Sequence, residues 1–377
     1  MITMTNDRSG SLGGRCTIER DIPGAPWPRE TPDESGRKMV HYASADAETI
    51  ASVVAYACLA PSVHNIQPWS WRLQRGELSL FVDRRRSIPI EDPGGRQLVI
   101  SCGAALHHLC IALEHNLLEP IVTVFPNRSE PDLLAAVTFR GRSHPEGSVA
   151  ALFSSLERRR TDRRPFDKPP VGSLESLSHV ARDLRTSTVV LSRKYTSMLE
   201  SASAVAAREH RSDPGYWNEL EAWIGANETN VGIPRGALPD ALSSHESASA
   251  RAFPSGHLKI ERGVRDNAAL VLISTASDTP IDWLNAGQAL SSVLLHATAS
   301  HLATCPLTHL TEVEASREIV RDVASRSGET FQHPQIMIRI GLPSHAAEIR
   351  PDDTHSDISE PVASGRRTVE EVLTVVK

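Results

Sequence analysis

The densest group of side chains able to bind a ligand lies in residues 59–71, LAPSVHNIQPWSW. Pro61 and Pro68 fix backbone angles at two points, so the loop between them has little conformational freedom. Such a stiff loop of polar groups could hold a flat polar ligand. The alternative is a tight helix-to-strand turn in which Trp69 fills the core. The hydrogen-bonding side chains of the loop are Ser62, His64, Asn65 and Gln67.

A helix and a β-hairpin must position this loop. Ser44 is a suitable N-cap, and Asp46 and Glu48 place negative charge in the first turn, where the helix dipole favours it. Pro61 ends the helix. Beyond the loop, apolar residues alternate with polar ones on both sides of Arg75 and predict a hairpin with one buried face. The apolar residues that share one face of the helix are Ile50, Val53, Val54, Ala57 and Cys58.

The remaining chain shows two long helices and two irregular stretches. Helices are predicted over about residues 95–116 and 281–302, and Gly103 in the first would let another helix approach closely. Residues 1–40 are rich in glycine, proline, serine and charge, which predicts a flexible arm. In residues 209–260, proline, glycine and serine interrupt a few aromatics, which predicts an inserted lid or arm.

Several short motifs, taken in their order, resemble one protein family. APSVHNIQPW at 60–69 is similar to the APSxxNxQPW signature of the nitroreductases, FMN-binding oxidoreductases in which this loop packs along the flavin. SCGAAL at 101–106, RRTDRRPF at 159–166 and TCPLT at 304–308 look like the bacterial Acg-type branch of that family. The resemblance extends from about residue 44 to the end of the sequence.

The resemblance implies an FMN site assembled from distant parts of the chain. Taken alone, the basic run at 158–166 indicates an exposed charged surface. In nitroreductases, however, the matching Arg-Arg-Ser segment binds the FMN phosphate, because guanidinium groups pair with phosphate oxygens and the hydroxyl adds another bond. The matching residues here are Arg159, Arg160 and Thr161. The other implied cofactor-binding residues are Pro61, Ser62, Val63, His64, Asn65, Gln67, Pro306, Thr308, Arg366 and Arg367.

The same resemblance implies an α+β fold with antiparallel-rich sheets and packed central helices. A simple nitroreductase has the Arg-Arg-Ser segment before the QPW loop, and two identical subunits share each flavin. Here the order is reversed and neither motif recurs. We therefore expect a fused pseudo-dimer of two related halves, residues 41–147 with the QPW loop and residues 148–377 with the arginines. It would bind one flavin per chain as a monomer, with further dimerisation left open.

Histidines and acids on the predicted helix 95–116 also raise the question of a metal site. Cys110 and Glu114 share a face, but His107 and His108 diverge by about 100°. No second cluster lies nearby in the sequence, so we expect no bound metal. Five cysteines without a CxxC pair indicate reduced, buried thiols and not a disulfide framework.

The composition limits the classes of protein that remain. With 377 residues, 40% hydrophobic and 23% charged, the chain is long enough for one large soluble domain or two ordinary ones. A formal net charge of -6 argues against a general nucleic-acid binder. The sequence shows no uninterrupted apolar run of about 20 residues and no signal-peptide core near its start. We therefore expect a cytoplasmic protein without a membrane or nucleic-acid partner.

An FMN site leaves two functions from different classes open. In the first, the chain is an oxidoreductase: NAD(P)H reduces the flavin and leaves, and a small electron acceptor such as a nitroaromatic or quinone takes its place. The protein would supply binding and orientation, so no catalytic side chain is assigned. In the second, a non-enzymatic protein sequesters FMN beneath a lid, with Trp217 or Trp223 as candidates to lie over the ring. A third possibility is an interaction protein without a flavin, in which the arginines of the basic run would only be exposed to solvent.

Overall fold

The computed structural model describes residues 17–18, 45–144, 147–178, 184–225, 230–240, 251, 253–260, 263–344 and 360–376. Most of the predicted flexible arm, residues 1–40, lies outside the described residues, and the strand Thr17–Ile18 (β1) is its described part. Within these ranges the chain forms two sheets with a pair of long helices packed between them.

The other elements fall into two groups along the sequence. The first group is α1 (Ala47–Ala57), β2 (Trp69–Gln74), β3 (Glu77–Val82), α2 (Arg96–His115), β4 (Leu118–Val124) and β5 (Leu133–Gly141). The second group is α3 (Val149–Arg158), β6 (Phe166–Asp167), β7 (Thr186–Leu191), α4 (Thr196–Ser212), α5 (Pro214–Ala222), β8 (Ala269–Thr275), α6 (Pro280–Ala299), β9 (Ala303–Leu307), α7 (His309–Glu312), α8 (Glu314–Arg326), β10 (His333–Pro343), α9 (Val369–Val372) and β11 (Leu373–Val376).

Each group builds one sheet, and one strand crosses over. The six-stranded sheet has the order β1-β4-β5-β3-β2-β11, so the late strand β11 completes the sheet of the first half. The five-stranded sheet has the order β6-β10-β8-β7, with β9 also paired to β10. The strand pairs are antiparallel except for β1 with β4 and β11 with β2. The predicted α+β fold with antiparallel-rich sheets is confirmed.

Helix α1 forms as its apolar period predicts, but a different residue caps it. Asp46 is the N-cap, and its side chain accepts a hydrogen bond from Thr49 N at 2.7 Å. The prediction of Ser44 as the cap is therefore wrong, and Ser44 itself lies outside the described residues. The buried face consists of Ile50, Val53, Val54 and Ala57.

Helices α2 and α6 cross with their backbones in contact. A Cβ on Gly103 would lie 2.1 Å from Leu284 O, and a Cβ on Gly287 would lie 1.9 Å from Ile100 O. In both helices the contacted carbonyl lies three residues before the glycine. Each helix thus presents the same surface to the other, as the two subunits of a C2 dimer do. A residue with a side chain would not fit at either position, because only glycine leaves room for this approach.

The same relation extends to the hydrophobic cores. Ile100 of α2 packs in the core of the second half, and Leu284 of α6 packs in the core of the first half. Four residues beyond each glycine, His107 Nδ1 and Ser291 Oγ are hydrogen-bonded to each other at 2.8 Å. This reciprocal exchange is the internal evidence for a fused pseudo-dimer.

His107 and His108 of α2 contribute to the contact between the two helices. His108 Nδ1 also lies 2.8 Å from Ser291 Oγ, and burial lowers the pKa of His107 to about 3, so both rings are neutral. No group of three or more potential metal ligands occurs among the residues that the structure describes. Helix α2 is long and apolar enough to cross a membrane by length and composition, but 94% of its most apolar window is buried inside the fold.

Candidate cofactor-binding site

The loop between α1 and β2 has an unusual backbone. His64, Asn65 and Gln67 have φ angles of 44°, 55° and 53°, in the left-handed region that residues with a side chain seldom adopt. The backbone N–H of Gln67 donates to Ser62 Oγ at 3.0 Å and closes the loop. Strain concentrated in one short loop is typical of binding sites, where the surrounding contacts enforce it.

This loop forms one wall of a cavity between the two halves. The first part of the cavity, which we call the apolar lobe, has a volume of about 120 Å³. Its aliphatic and aromatic wall consists of Val63, Ile100, Ile233, Phe253, Leu290, Leu307 and Ile336. Its polar groups include Ser62, His64, Gln97, Thr161, Arg163, Arg251, Thr308 and His309. A concave wall that combines apolar surface with a few placed polar groups is typical of cofactor sites.

The second part, the basic lobe, has a volume of about 270 Å³. Its characteristic residues are Arg159, Arg160 and Arg366, which come from the end of α3 and from the segment before α9. The two lobes adjoin and form one elongated cavity. The residues that line both lobes are Pro61, Ser62, His64, Thr161, Arg163 and Ile233.

Arg159 carries a buried charge with spare hydrogen-bond donors. Only 4% of the residue is exposed, and its Nε and Nη1 have no partner among the described residues. Burial, together with the charges of Arg366 and Arg160, lowers its pKa to about 9. The Nε atoms of Arg160 and Arg366 are likewise without a partner within the described ranges. Three adjacent guanidinium groups in a desolvated pocket make a site for an anion.

Most of the residues predicted to bind the cofactor line this cavity. Those in the apolar lobe alone are Val63, Pro306 and Thr308. Those in the basic lobe alone are Asn65, Arg159, Arg160 and Arg366. Those at the junction of the two lobes are Pro61, Ser62, His64 and Thr161.

Gln67 and Arg367, by contrast, lie behind the loop and line neither lobe. The Arg367 amide donates to Gln67 Oε1 at 2.8 Å, and the guanidinium donates to the carbonyls of Gln67 and Trp69 at 3.2 and 3.1 Å. Gln67 Nε2 in turn donates to Asn230 O at 2.8 Å. The geometry therefore favours a supporting role for this pair, which fastens the segment before α9 to the loop, over the predicted contact with the cofactor.

Arg251 connects several parts of the chain at the wall of the apolar lobe. Its Nη1 donates to Glu91 Oε2 at 3.0 Å and to Tyr216 Oη at 2.7 Å. Its Nη2 donates to Thr308 Oγ1 at 2.9 Å and to Glu312. Only 5% of the Arg251 side chain is exposed. A buried guanidinium with this many acceptors is held in one orientation.

Two buried carboxyl groups around Arg251 have pKa values that are shifted in opposite directions. His64 Nε2 lies 2.7 Å from Glu91 Oε2. Burial opposes the ionisation of Glu91, but the charges of Arg251 and His64 outweigh it and lower the pKa of this carboxyl. Burial raises the pKa of Glu312 to about 8, despite the nearby Arg251. The raised pKa of Glu312 favours its protonated form near neutral pH, whereas the lowered pKa of Glu91 favours its charged form.

Comparison with known proteins identifies the family. A Mycobacterium tuberculosis protein named "Putative NAD(P)H nitroreductase acg" is 33% identical over 334 residues, which cover 87% of this chain and 96% of that protein. The chain belongs to the Acg-like branch of the nitroreductase family. The prediction made from the QPW loop and the arginine run is confirmed.

Further relatives and solved structures are similar to this chain to different extents. Two further proteins of the same organism are similar to this chain. "Uncharacterized protein Rv3127" is 36% identical, and the match covers 84% of this chain and 95% of that protein. "Putative NAD(P)H nitroreductase Rv3131" is 32% identical, and the match covers 84% of this chain and 92% of that protein. A Bacteroides fragilis nitroreductase with bound FMN is 14% identical, with a TM-score of 0.32, and covers 56% of this chain and 98% of that chain. NfnB of Mycobacterium smegmatis, an FMN-dependent nitroreductase in complex with NADPH, is 17% identical, with a TM-score of 0.33 over 51% of this chain and 87% of that chain. A scan against models of protein families found no match.

The resemblance to nitroreductases assigned no role to several residues of the cavity wall. Arg163 lies inside the basic run, and its guanidinium lies 5.3 Å from the centre of the Phe253 ring. Its position two residues after Thr161 is the feature of the sequence that could have indicated it as a residue of the cavity wall. Arg251 and Glu91 gave no signal, because a contact between residues 160 positions apart leaves no local pattern.

In this nitroreductase-like chain, the residues of 209–260 that line the apolar lobe are not the tryptophans that the sequence suggested. Ile233, Pro239 and Phe253, which we call the roof, line it together with Arg251. Trp217 instead packs edge-on against Tyr216, and Trp223 lies 5.4 Å from the Arg86 guanidinium. The described part of the segment also contains α5 and a small core formed by Tyr216, Leu220, Ile224, Ile233, Ala237 and Leu238.

Proposed function

We propose that this chain binds one FMN in the cavity and acts as an NAD(P)H-dependent oxidoreductase on small electron-poor molecules such as nitroaromatics and quinones. The observation that carries the proposal is Arg159, a buried guanidinium at one end of a cavity whose other end is mainly apolar. Two of its nitrogens have no partner in the part of the chain that the structure describes. FMN has the same polarity along its length, with a phosphate at one end and a flat aromatic ring system at the other. The names of the relatives support this proposal.

The chain offers groups for each part of the cofactor. Arg159, Arg160 and Arg366 would hold the phosphate, and the Thr161 hydroxyl would add a bond at the junction of the lobes. The remaining part of the loop would lie along the ring system. When bound, FMN supplies the hydride chemistry, so that no side-chain nucleophile is required. On this proposal residues 41–147 and 148–377 are two halves of one site, and the functional unit is a single chain.

The chain's own groups would set the conditions in the cavity. His64, bonded through Nε2 to Glu91, keeps one orientation at the junction of the lobes. Arg163 places a positive charge at the same junction, which stabilises negative charge on a bound ring. The roof, with Phe253 as its aromatic residue, lines the apolar lobe and would exclude water from it when closed.

FMN storage is the second candidate function, and the roof is the observation that favours it. Phe253, Ile233 and Pro239 cover the part of the cavity that would hold the ring. A nicotinamide must stack on an exposed ring face to transfer hydride. If the roof stays closed, the described part of residues 209–260 would form a lid that protects the flavin from turnover.

Stopped-flow absorbance of the purified, FMN-loaded protein mixed with NADPH tests both functions. Rapid bleaching of the flavin band, followed by recovery when a nitroaromatic is added, is the result expected for an oxidoreductase. A flavin that stays oxidised for minutes in excess NADPH would support storage. Protein that neither carries FMN after purification nor binds added FMN would contradict both functions.

A further inference from the structure

Arg251 is fastened to both halves of the molecule. Glu91 lies in the first half, shortly before α2, and Glu312 is the last residue of α7 in the second half. Tyr216 belongs to α5, and Thr308 belongs to the wall of the apolar lobe. One guanidinium therefore joins the two halves to the segment that carries the roof (Ile233, Pro239 and Phe253).

The geometry points to a role for this contact in controlling access to the cavity. We propose that Arg251 is a positioning residue, which keeps the roof closed over the apolar lobe by bridging Glu91 and Glu312 and so limits the approach of nicotinamide. The consequence for nicotinamide rests on the FMN site proposed above. The bridge itself needs no cofactor, and it can be tested without one.

The roof is coupled to Arg251 at short range. The centre of the Phe253 ring lies 5.8 Å from the Arg251 guanidinium, and 6.5 Å from the centre of the His64 ring, which it meets edge-on. Displacement of Arg251 therefore removes one of the groups against which Phe253 is placed. Arg163, whose guanidinium lies 5.3 Å from the centre of the ring, and His64 would remain as its neighbours.

Phe253 is in turn linked to the rest of the roof through the backbone. Three amides just beyond it donate to carbonyls of residues 235–239: Gly256 N to Pro239 O at 2.9 Å, His257 N to Arg235 O at 2.8 Å and Leu258 N to Leu238 O at 2.9 Å. These bonds hold the segment that carries Phe253 against residues 235–239, and they open when that segment detaches. Because amide hydrogens in such bonds exchange with solvent only when the bonds open, these three amides report on the roof.

Loss of Arg251 should loosen the roof without unfolding the protein. Removing one partner of a buried ion pair is usually strongly destabilising, because the other charge is left unpaired. Here Glu91 keeps His64 at 2.7 Å, and burial raises the pKa of Glu312 to about 8, which favours its neutral form. Neither carboxyl is left as an isolated buried charge in Arg251→Ala.

Hydrogen exchange of the FMN-free protein tests the bridge. In Arg251→Ala the amides of Gly256, His257 and Leu258 should exchange at least about tenfold faster than in the wild type, while amides of the β2–β3 hairpin keep their rates. Arg251→Lys should give an intermediate rate, because lysine keeps the charge but lacks the planar fork that reaches both carboxylates. Lys259→Ala, which removes one positive charge from an exposed residue nearby, should match the wild type.

Two outcomes of the exchange experiment would contradict the proposed bridge. Equal exchange in Arg251→Ala and the wild type would overturn the proposal, as would equal acceleration in Arg251→Ala and Lys259→Ala. Lysine rescue, even partial, separates a specific bridge from a general loss of packing, because the lysine ammonium restores the charge without the planar shape of the guanidinium.

A second measurement connects the bridge to the cofactor. In FMN-loaded protein, Arg251→Ala should release FMN and be reduced by NADPH at least about tenfold faster than the wild type, with Arg251→Lys between them. If the wild type fails to bind FMN, the proposed function fails, while the exchange rates still decide the bridge. If FMN binds and the exchange rates are unchanged, the bridge alone fails.

Discussion

Arg366 donates from Nη1 to Asn65 Oδ1 at 3.1 Å, a contact between residues 301 positions apart at the wall of the basic lobe. Asn65 Nδ2 donates in the opposite direction, to Gly365 O at 3.1 Å and to Gly232 O at 3.0 Å. One amide side chain in the strained loop therefore sets the position of a distant arginine. The anion site is a composite of the loop, the end of α3 and the segment before α9.

Replacement of Arg159 should weaken FMN binding. We expect Arg159→Ala to cost about 1.5–3 kcal/mol of binding free energy, the range for a hydrogen bond to a charged group. Titration of FMN-free protein with FMN, followed by flavin fluorescence, gives the dissociation constants. Arg158→Ala is the matched control. Arg158 directly precedes Arg159 in the sequence, is exposed, and does not line the cavity. Equal dissociation constants for Arg159→Ala and the control would remove Arg159 from the site.

Each chain should bind one FMN. The strained loop and the arginine cluster each contribute once to the described cavity, and the two halves complete each other there. The flavin released by denaturation, measured against protein concentration after loading to saturation, gives the ratio. A ratio near two would mean that the pseudo-symmetric position also binds flavin, and it would contradict the single composite site.

The contact between the two central helices should tolerate no side chain at Gly287. Its Cβ would lie 1.9 Å from Ile100 O and 2.9 Å from Gly103 Cα, so that the helix backbones must separate. We expect Gly287→Ala to lower the free energy of unfolding by more than about 3 kcal/mol. Gly141→Ala, where a Cβ would meet nothing within 4 Å, is the control. Chemical denaturation of both variants provides the comparison, and similar midpoints would show that the helices are not in this contact.

The stability of the protein should fall as the pH rises from 7 to 8. Burial raises the pKa of Glu312 from 4.5 to about 8, so in this range the folded state binds more protons than the unfolded state and loses stability as pH rises. The expected slope is up to about 1.4 kcal/mol per pH unit. Buried histidines such as His210, whose pKa burial lowers from 6.5 to about 4, act in the opposite direction but chiefly below pH 6.5.

Glu312→Gln isolates this effect, since glutamine keeps the shape and cannot titrate. Urea denaturation of both proteins at pH 7 and pH 8 should show a loss of stability in the wild type that is absent from Glu312→Gln. A parallel loss in both proteins would assign the pH dependence to other groups.

Local patterns predicted the parts of the site that lie on single elements. The face of α1, the alternation in the β2–β3 hairpin and the stiff loop between them follow from periodicity and from proline positions. The arginines at the end of α3 were identified through the family resemblance, because a charge run alone also describes an exposed surface. In each case the residues that matter are neighbours in the sequence.

What was missed depends on contacts between distant residues. Arg251 is an isolated arginine, and its importance comes from Glu91 and Glu312, which only the fold brings to it. Gln67 and Arg367 look like site residues from their motifs, but hydrogen bonds to each other use their polar atoms behind the loop. Sequence types indicate which groups can bind a ligand, and tertiary contacts decide which of them remain available.

The pairing of β11 with β2 has a consequence for biosynthesis. Leu373 pairs with Trp71, in a parallel register that continues to Val376 and Gln74. On the ribosome, the β2 edge therefore stays open until residues 373–376 have emerged, while the rest of that sheet is already available to form. An unpaired sheet edge is a template for other strands, so the growing chain is exposed to misassociation for most of its synthesis. Delivery of the last strand closes that interval.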